Sequence, residues 1–304
     1  MDGQLAPQTR RFFDGGPPDG APDPASPPLI ILERTLDMPV DEFLMGRRLG
    51  YLDRELGPLL VPVDPRTFQS DLTSVPSIFA WLVPRTGRHL PAALLHDGLV
   101  GGAVIAEPGV EIDRERADLI FRCAMADTGT GLIRRWLMWT AVTLGTFFQG
   151  DDGGWSLAQR WRWRLTAGGT ILVVTVLGVL ATLDLFDVPV PLIGGVPWMG
   201  DRVWWVELLT GAAGAIVIPM LLALLWGRFR AAGIITGVSL ALLLHVTAAV
   251  ALLTLAYQVA ERIVSGPPLD GAAPRATRRR HPRRSRADPG AARDGPDHGR
   301  GRGR

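Results

Sequence analysis

A block of almost uncharged residues between Leu165 and Ala260 constrains the fold more than any other feature of this chain. It holds three apolar stretches, at residues 165–183, 203–226 and 231–260. About 17 to 25 apolar residues are needed to cross the hydrocarbon core of a bilayer, and runs of that length are hard to bury in a soluble protein of this size. The sequence therefore predicts an all-α membrane bundle of three helices that follows a water-soluble N-terminal part.

Charge and composition set the two ends of the chain apart. All 32 basic residues are Arg, and 11 of them lie between Arg275 and Arg304 against three Asp, which leaves a net charge of −6 for the rest of the chain. With Pro, Gly and Ala between the charges and no aromatic residue, 261–304 is predicted to be a disordered Arg-rich tail, and a nucleic-acid partner is disfavoured. Residues 1–28 contain 11 Pro and Gly, lack the apolar core of a signal peptide, and are predicted to be a disordered leader.

Between the leader and the membrane block, residues 29–150 have the pattern of an α+β soluble domain in which short antiparallel strands are followed by helices. Asp113 is a plausible N-cap, and apolar residues at helical spacing after it predict an amphipathic helix over Arg114–Asp127. A further helix is predicted over 132–148, packed against the domain or lying at the membrane interface. Three short strands are predicted before these helices, at residues 30–36, 42–50 and 58–63.

Residues 151–164 are predicted to be an Arg/Trp linker in front of the first span. Arg160, Arg162 and Arg164 alternate with Trp161 and Trp163. Indole rings at headgroup level and guanidinium groups facing anionic lipid are typical of a membrane surface, and a solvated start of a charged helix is the alternative.

The distribution of Arg also predicts the topology. Arg228 and Arg230 lie between the second and third spans, whereas Asp184 and Asp187 follow the first span. By the positive-inside rule these positions favour a multi-pass protein of the bacterial inner membrane with a cytoplasmic N-terminal domain. Three spans then place the Arg-rich tail outside, which conflicts with the same rule. An interfacial first segment would bring tail and domain to one side, but it would misplace the two Arg of the turn.

Three motifs in the soluble half occur in a fixed order. Phe68-Gln-Ser-Asp71-Leu-Thr-Ser-Val-Pro76 comes first, Ala92-Ala-Leu-Leu-His96-Asp97 follows, and Arg116-Ala-Asp118 lies in the predicted amphipathic helix. In order and spacing these motifs resemble the phage-associated domain of unknown function 1353. The resemblance covers about residues 29–150 and implies a phage-derived domain without an established activity.

The sequence departs from this family in two places. Val100 stands where the family usually has an aromatic residue, three positions after Asp97. The segment 101–111 is also longer and richer in Gly than the short link that the resemblance implies.

The motifs contain four candidate catalytic residues, namely His96, Asp97, Asp71 and Asp118. His96 is suited to act as a general base, with Asp97 as an orienting carboxylate or metal ligand. Asp71 and Asp118 would complete an oxygen-rich cation site if the fold brings them close, although no cofactor or metal is assigned. The adjacent His and Asp also resemble the pair of secreted phospholipases A2, whose flanking cysteines are missing here because Cys123 is the single cysteine.

Each candidate also has a structural alternative. His96 could cap its helix just before Gly98, and Asp71 could close a turn before Pro76. Asp118 could belong to a surface ion-pair ladder with Arg114 and Arg122. Their joint presence in one set of motifs predicts a shared buried polar cluster, which could be structural or catalytic.

Polar residues inside the apolar block are few. His245 lies near the centre of the third span and is a functional candidate by its position, with a hydrogen bond to Thr210 or Thr247 as the structural alternative. Gly233-x-x-x-Gly237 predicts a close helix contact. Glu207 is the second isolated polar residue. Two such residues do not make a translocation pathway, so an anchor is favoured over a transporter.

The leading functional hypothesis is a phage-derived module held at the membrane, with an interaction or assembly role. A membrane-tethered hydrolase that uses the His-Asp pair is the first alternative, and a small transporter or channel around His245 is the second. The expected partners are the lipid bilayer and either another protein or further copies of the chain.

Overall fold

The strands near the N-terminus form two small antiparallel sheets. The computed structural model describes residues 11–34, 43–70, 72, 84, 86–149, 154–190, 195–200 and 202–265. In the first sheet the strand order is β1 (Phe12–Asp14), β4 (Leu49–Asp53), β5 (Gly57–Val61). In the second sheet the order is β2 (Leu32–Arg34), β3 (Phe43–Met45), β6 (Gln69–Ser70). All pairs are antiparallel, which confirms that short antiparallel strands precede the helices.

Strand β1 lies in the segment that composition predicts to be a disordered leader, and that prediction is wrong from residue 11 onward. Phe12 and Phe13 are buried. The Phe13 ring covers Gly50 so closely that a Cβ at this glycine would lie 2.2 Å from the ring. Arg47 also forms an ion pair with Asp14. These partners are distant in sequence, so composition alone does not reveal them; residues 1–10 lie outside the described part of the chain.

The predicted strand over 42–50 is likewise corrected, because it contains parts of two strands. β3 and β4 are separated by a bend at 46–48 and belong to different sheets. Gly46 fits tightly against Ile31, where a Cβ would lie 2.9 Å from the side chain. The chain thus changes sheets at a position where a larger residue would clash.

Three helices follow the strands, and the first of them packs on β4 and β5 of the first sheet. They are α1 (Leu90–Val100), α2 (Arg114–Asp127) and α3 (Leu132–Gln149). Asp113 caps α2 as predicted, since its side chain accepts a hydrogen bond of 2.7 Å from the Arg116 amide. The predicted apolar face of α2 is buried in full, namely Ala117, Ile120, Phe121, Ala124 and Met125.

The Gly-rich segment that departs from the family pattern extends the first sheet. Leu60 and Ile105 exchange two backbone hydrogen bonds of 2.9 and 2.8 Å, and Val63 donates to Ala103. The segment therefore lies along β5 on the side away from β4.

Two apolar segments in the second half are long enough to cross a membrane by length and composition. The first is α4 (Leu157–Leu185), and the second is Trp204–Val264. Only 17% and 11% of their most apolar windows are buried, which is unlike the core helix of a soluble protein. The predicted linker is corrected here, because α4 begins at Leu157 with a capping box formed by Ser156 and Gln159.

The second apolar segment consists of α5 (Trp204–Leu222), a 3₁₀ stretch Ala223–Phe229, and α6 (Arg230–Ser265). Gly227 interrupts the helical backbone with φ 52° and ψ −119°. Beyond this break the chain returns, because a Cβ on Gly237 would lie 2.5 Å from the Pro219 Cβ. The close contact predicted for the Gly233-x-x-x-Gly237 motif is therefore present. Helix α6 continues to Ser265, past the predicted start of the tail at residue 261; residues 266–304 lie outside the described part.

Contacts between the apolar helices show the directions in which they run relative to one another. Trp163 at the start of α4 lies 3.7 Å from a Cβ placed on Gly227, and Gly178 further along α4 meets Leu244. The α4 and α6 segments thus run parallel up to this level, whereas α5 runs in the opposite direction. These contacts agree with the predicted order of three helices, and a membrane bundle of three spans stays a prediction.

Five aromatic rings connect the three-helix domain to the apolar helices. Phe147 of α3 stacks on Trp163 of α4 at 5.8 Å and meets Phe229 edge-on at 4.9 Å. Trp155 and Trp226 complete this aromatic junction. The Trp163 side chain is buried among these rings and does not face outward, whereas its level relative to the lipid headgroups stays a prediction.

Polar contacts reinforce the aromatic junction. Arg164 of α4 donates to the carbonyls of Phe147 and Phe148 at the end of α3, at 3.0 and 3.2 Å. Arg228 in the 3₁₀ stretch pairs with Glu115 of α2 at 2.6 Å. The hydrophobic core is continuous from the strands through Phe147 to the base of the apolar helices, and the described residues up to Tyr257 belong to one compact unit.

Candidate functional site

His96 lies in the middle turns of α1 and reaches across to α2. Its Nε2 is 2.8 Å from Asp118 Oδ1, and its ring packs on Phe121 at 5.0 Å. Helix α1 continues to Val100 and is capped by Gly101. The structural alternative that His96 caps the helix before Gly98 is therefore wrong.

Asp118 lies on the buried face of α2, and its side chain is only 5% exposed. Oδ1 bonds to His96, and Oδ2 accepts a hydrogen bond of 2.8 Å from the Thr146 hydroxyl of α3. The predicted ion-pair ladder on the surface is thus wrong for Asp118, and Arg122 instead stacks over Trp136. One carboxylate joins α1, α2 and α3, and it brings together two of the motif residues, His96 and Asp118, in a buried polar cluster.

The hydrogen bond to Asp118 also orients the imidazole. When His96 is neutral, the Nε2 proton is best placed between Nε2 and the carboxylate, and Nδ1 then carries the lone pair. Nδ1 makes no hydrogen bond to any part of the chain that the structure describes. The side chain is 13% exposed. A carboxylate that orients a partly exposed imidazole is the arrangement of a general base.

Asp97, the next residue of α1, belongs to a different set of contacts. Its Oδ2 accepts a hydrogen bond of 2.5 Å from the Ser70 hydroxyl at the end of β6. The Ser70 oxygen in turn accepts from the Leu72 amide at 3.0 Å. Asp97 borders an open cleft of about 550 Å³, which is lined by Val63, Asp64, Thr67, Phe68, Gln69, Asp97, Gly101 and Ala103.

The four predicted candidates are therefore only partly brought together. His96 and Asp118 form a dyad, Asp97 is held by Ser70, and Asp71 lies outside the described residues. Among the residues that the structure describes, no three His, Cys, Asp or Glu side chains are placed to hold a metal ion.

Two residues of the site were missed in the sequence. Ser70 lies inside the first motif but was not singled out, and its role depends on where β6 ends. Thr146 is one of three buried threonines spaced by three along α3, with Thr140 and Thr143. That stripe of hydroxyls on the inner face of an amphipathic helix is a detectable pattern, but it does not identify the carboxylate that it meets.

Two further ionisable groups in the domain have shifted pKa values. His89, just before α1, is fully buried, and burial lowers its pKa. The Pro84 backbone opposes this shift, and the charge of Arg134 acts in the same direction as burial. Burial raises the pKa of Glu115, against the opposing effect of its partner Arg228. Glu115 pairs with Arg228, which is next to Phe229 of the aromatic junction. Because Glu115 and Asp118 are about one helical turn apart, the dyad also lies close to that junction.

In the apolar helices, His245 has a different partner from those predicted. Its Nε2 bonds to the Thr182 hydroxyl of α4, and that hydroxyl also donates to the Gly178 carbonyl. The Thr210 hydroxyl instead bonds to the carbonyls of Val206 and Glu207 in its own helix. The observed hydrogen bond joins α4 to α6.

These features define an α+β domain that carries a buried His-Asp dyad and is attached to apolar helices. Residues 56–142 match the sequence model of a family described as a protein of unknown function, DUF1353. This match confirms, for that part of the chain, the resemblance found in the motifs. No curated protein and no solved structure matches the chain.

Proposed function

We propose that this protein is a membrane-anchored interaction or assembly module, which presents its DUF1353 domain in a fixed orientation at the cytoplasmic face of a bacterial inner membrane. The observation that carries the proposal is the aromatic junction. Phe147 of the domain packs among Trp163, Trp226 and Phe229 of the apolar helices, where a flexible tether would leave these rings apart. A domain held in this way is suited to present one surface to partners.

In this proposal α4, α5 and α6 each span the bilayer. The break at Gly227 and the contact of Gly237 with Pro219 support two separate spans within the second apolar segment. Arg228 and Arg230 at that break then lie on the same side as the start of α4, whereas Asp184 and Asp187 lie at the other end. Positive charge on the side of the domain supports its cytoplasmic location.

The dyad is consistent with a module because it holds helices together. Both oxygens of Asp118 are occupied by partners from α1 and α3, so the carboxylate links all three helices of the domain. Buried polar groups that are fully hydrogen-bonded rigidify a fold and specify its packing. This role requires no substrate.

The topology is tested with single cysteines in a Cys123→Ser background. Phe186 at the end of α4 is 72% exposed, and Glu33 in β2 is exposed. A membrane-impermeant maleimide should label Phe186→Cys in intact spheroplasts, whereas Glu33→Cys should react only after permeabilisation. Labelling of Glu33→Cys in intact spheroplasts would contradict the cytoplasmic location.

The interaction role is tested by photo-crosslinking of the full chain in its native cells. A photoreactive amino acid at Leu52 or Ile105, both exposed on the domain, should give discrete adducts with a protein. The same group at Leu172, exposed in the middle of α4, is the matched control and should give only lipid adducts. Absence of any protein adduct from a set of such positions around the domain would contradict the proposal.

A hydrolase is the second candidate, favoured by the orientation of His96. In such a reaction Nδ1 of His96 would take a proton from water while the water oxygen attacks an ester or phosphoester. His96→Gln separates the two functions, because the Gln amide can still donate to Asp118 but cannot act as a base. Hydrolysis that is lost in His96→Gln at unchanged Tm would establish the enzyme and refute the purely structural role.

A further inference from the structure

Five arginines surround the end of the apolar helices that lies nearest to the domain. Trp163 packs on Phe229 at 5.1 Å, so the first turns of α4 and the turn between α5 and α6 lie side by side. The arginines of both segments therefore share one level along the helices. We call them the basal collar: Arg160, Arg162, Arg164, Arg228 and Arg230.

The members of the basal collar have different local roles. Arg164 donates to carbonyls at the end of α3, and Arg160 donates to the Trp155 carbonyl at 3.2 Å. These two guanidinium groups are directed toward the aromatic junction. Arg162 and Arg230 are exposed, and the Arg162 guanidinium lies 4.8 Å from the Trp163 ring centroid.

Two arginines of the collar, Arg162 and Arg230, lack a carboxylate partner among the described residues. Glu115, the carboxylate paired with Arg228, lies 2.6 Å from that guanidinium, and burial raises its pKa. Arg162 and Arg230 form no ion pair with any residue that the structure describes, so they leave an excess of positive charge at this level. Such an excess attracts anions, and guanidinium groups bind phosphate oxygens through paired hydrogen bonds.

An exposed apolar surface begins directly beyond the collar. Leu165, Leu224 and Leu225 are 67%, 69% and 62% exposed. Trp161, which is 53% exposed, lies between Arg160 and Arg162. Exposed cations and an exposed indole next to an apolar band place the collar where lipid headgroups lie, if the band lies in the hydrocarbon.

We infer that the basal collar is a binding site for acidic glycerophospholipids, with Arg162 and Arg230 contacting the headgroup phosphate. This inference rests on the proposed spanning of the bilayer by α4–α6. It adds a preference among lipids, because a neutral zwitterionic headgroup does not offset the positive charge of Arg162 and Arg230. The far end of the same helices carries Asp184 and Asp187 and lacks a comparable group of arginines among its described residues.

The test uses the full chain in detergent, titrated separately with dioleoyl phosphatidylglycerol and dioleoyl phosphatidylcholine, with bound lipid counted by native mass spectrometry. The wild-type protein should retain phosphatidylglycerol more tightly. The double variant Arg162→Gln/Arg230→Gln should bind phosphatidylglycerol about 25-fold more weakly, because each arginine near an anionic headgroup contributes about fivefold to the affinity. Arg228 is left unchanged because its ion pair with Glu115 contributes to the attachment of the domain.

Arg202→Gln is the matched control, since Arg202 is exposed at the far end of the apolar helices and should change the affinity by less than twofold. Equal retention of both lipids by the wild type, or wild-type preference in the double variant, would overturn the inference. Displacement of the lipid by 10 mM inorganic phosphate would show an unspecific anion site and would also overturn it. The cysteine-labelling experiment on the same variants reports separately on membrane insertion, so failure of the lipid site and failure of the spanning proposal are distinguishable.

Discussion

The hydrogen bond from Thr146 to Asp118 allows a paired test of how the domain is held together. Thr146→Val keeps the shape of the side chain and removes the hydroxyl that donates to Asp118 Oδ2 at 2.8 Å. The Asp118 side chain is 5% exposed, so water cannot readily replace the lost donor. A hydrogen bond to a buried charged group contributes about 1.5–3 kcal/mol, and we expect Thr146→Val to destabilise the protein by this amount.

Thr143 provides the matched control one turn earlier in α3. Its hydroxyl is also buried, but it has no hydrogen-bond partner within the part of the chain that the structure describes. Thr143→Val therefore removes an unsatisfied polar group, and we expect it to stabilise the protein by about 1 kcal/mol. The same chemical change at two positions of one helix should thus have opposite signs.

The assay is thermal unfolding of the full chain in detergent, followed by near-UV circular dichroism. For a unit of this size, 1 kcal/mol corresponds to about 2–4 °C in Tm. Thr146→Val should lower the Tm by about 3–12 °C, and Thr143→Val should raise it by about 2–4 °C. Equal shifts of the same sign in both variants would refute the assignment of Thr146 as the partner of Asp118.

Three further predictions concern other parts of the molecule. Because burial lowers the pKa of His89, the unfolded chain binds a proton at a pH where the folded chain does not. The stability should therefore be intact above the ordinary histidine pKa of 6.5 and should decline as the pH falls below it. When Tm is measured from pH 7.5 to 5, the decline should be smaller in His89→Phe than in the wild type. Gly237→Ala should lower the folded yield and the Tm, because its Cβ would lie 2.5 Å from Pro219, whereas Gly145→Ala has open space and serves as the control in size-exclusion chromatography. Phe147→Ala should lower the free energy of unfolding by about 3–5 kcal/mol. It should also make the chain between α3 and α4 more sensitive to limited proteolysis, and unchanged cleavage would contradict a rigid aromatic junction.

Helix α2 could be predicted from sequence because its determinants are local. The Asp113 cap and the spacing of the apolar residues lie within the helix itself, and both are observed. Strand β1 could not be predicted in the same way. Its order comes from pairing with β4 and from the fit of Phe13 over Gly50, which are contacts between distant parts of the chain.

The candidate site shows the same division. The motifs identified His96 and Asp118 as members of one polar cluster, because polar residues inside apolar helical patterns need partners when they are buried. The third member, Thr146, meets Asp118 only because of the way α3 packs against α2. The sequence does not show which residue of α3 faces Asp118. Asp97 was grouped with His96 because the two are adjacent, yet adjacent residues on a helix point about 100° apart and have different partners.

The segment that departs from the family pattern has a consequence for how copies of the protein meet. Residues 103–105 pair with both backbone groups of Leu60 on the outer side of β5 and with the Val63 amide just beyond the strand. An unpaired strand edge is a template for joining another chain, and confinement to a surface raises the local concentration of neighbouring copies. The Gly-rich segment therefore covers this part of the edge, and a strand of a neighbouring copy cannot pair with it there.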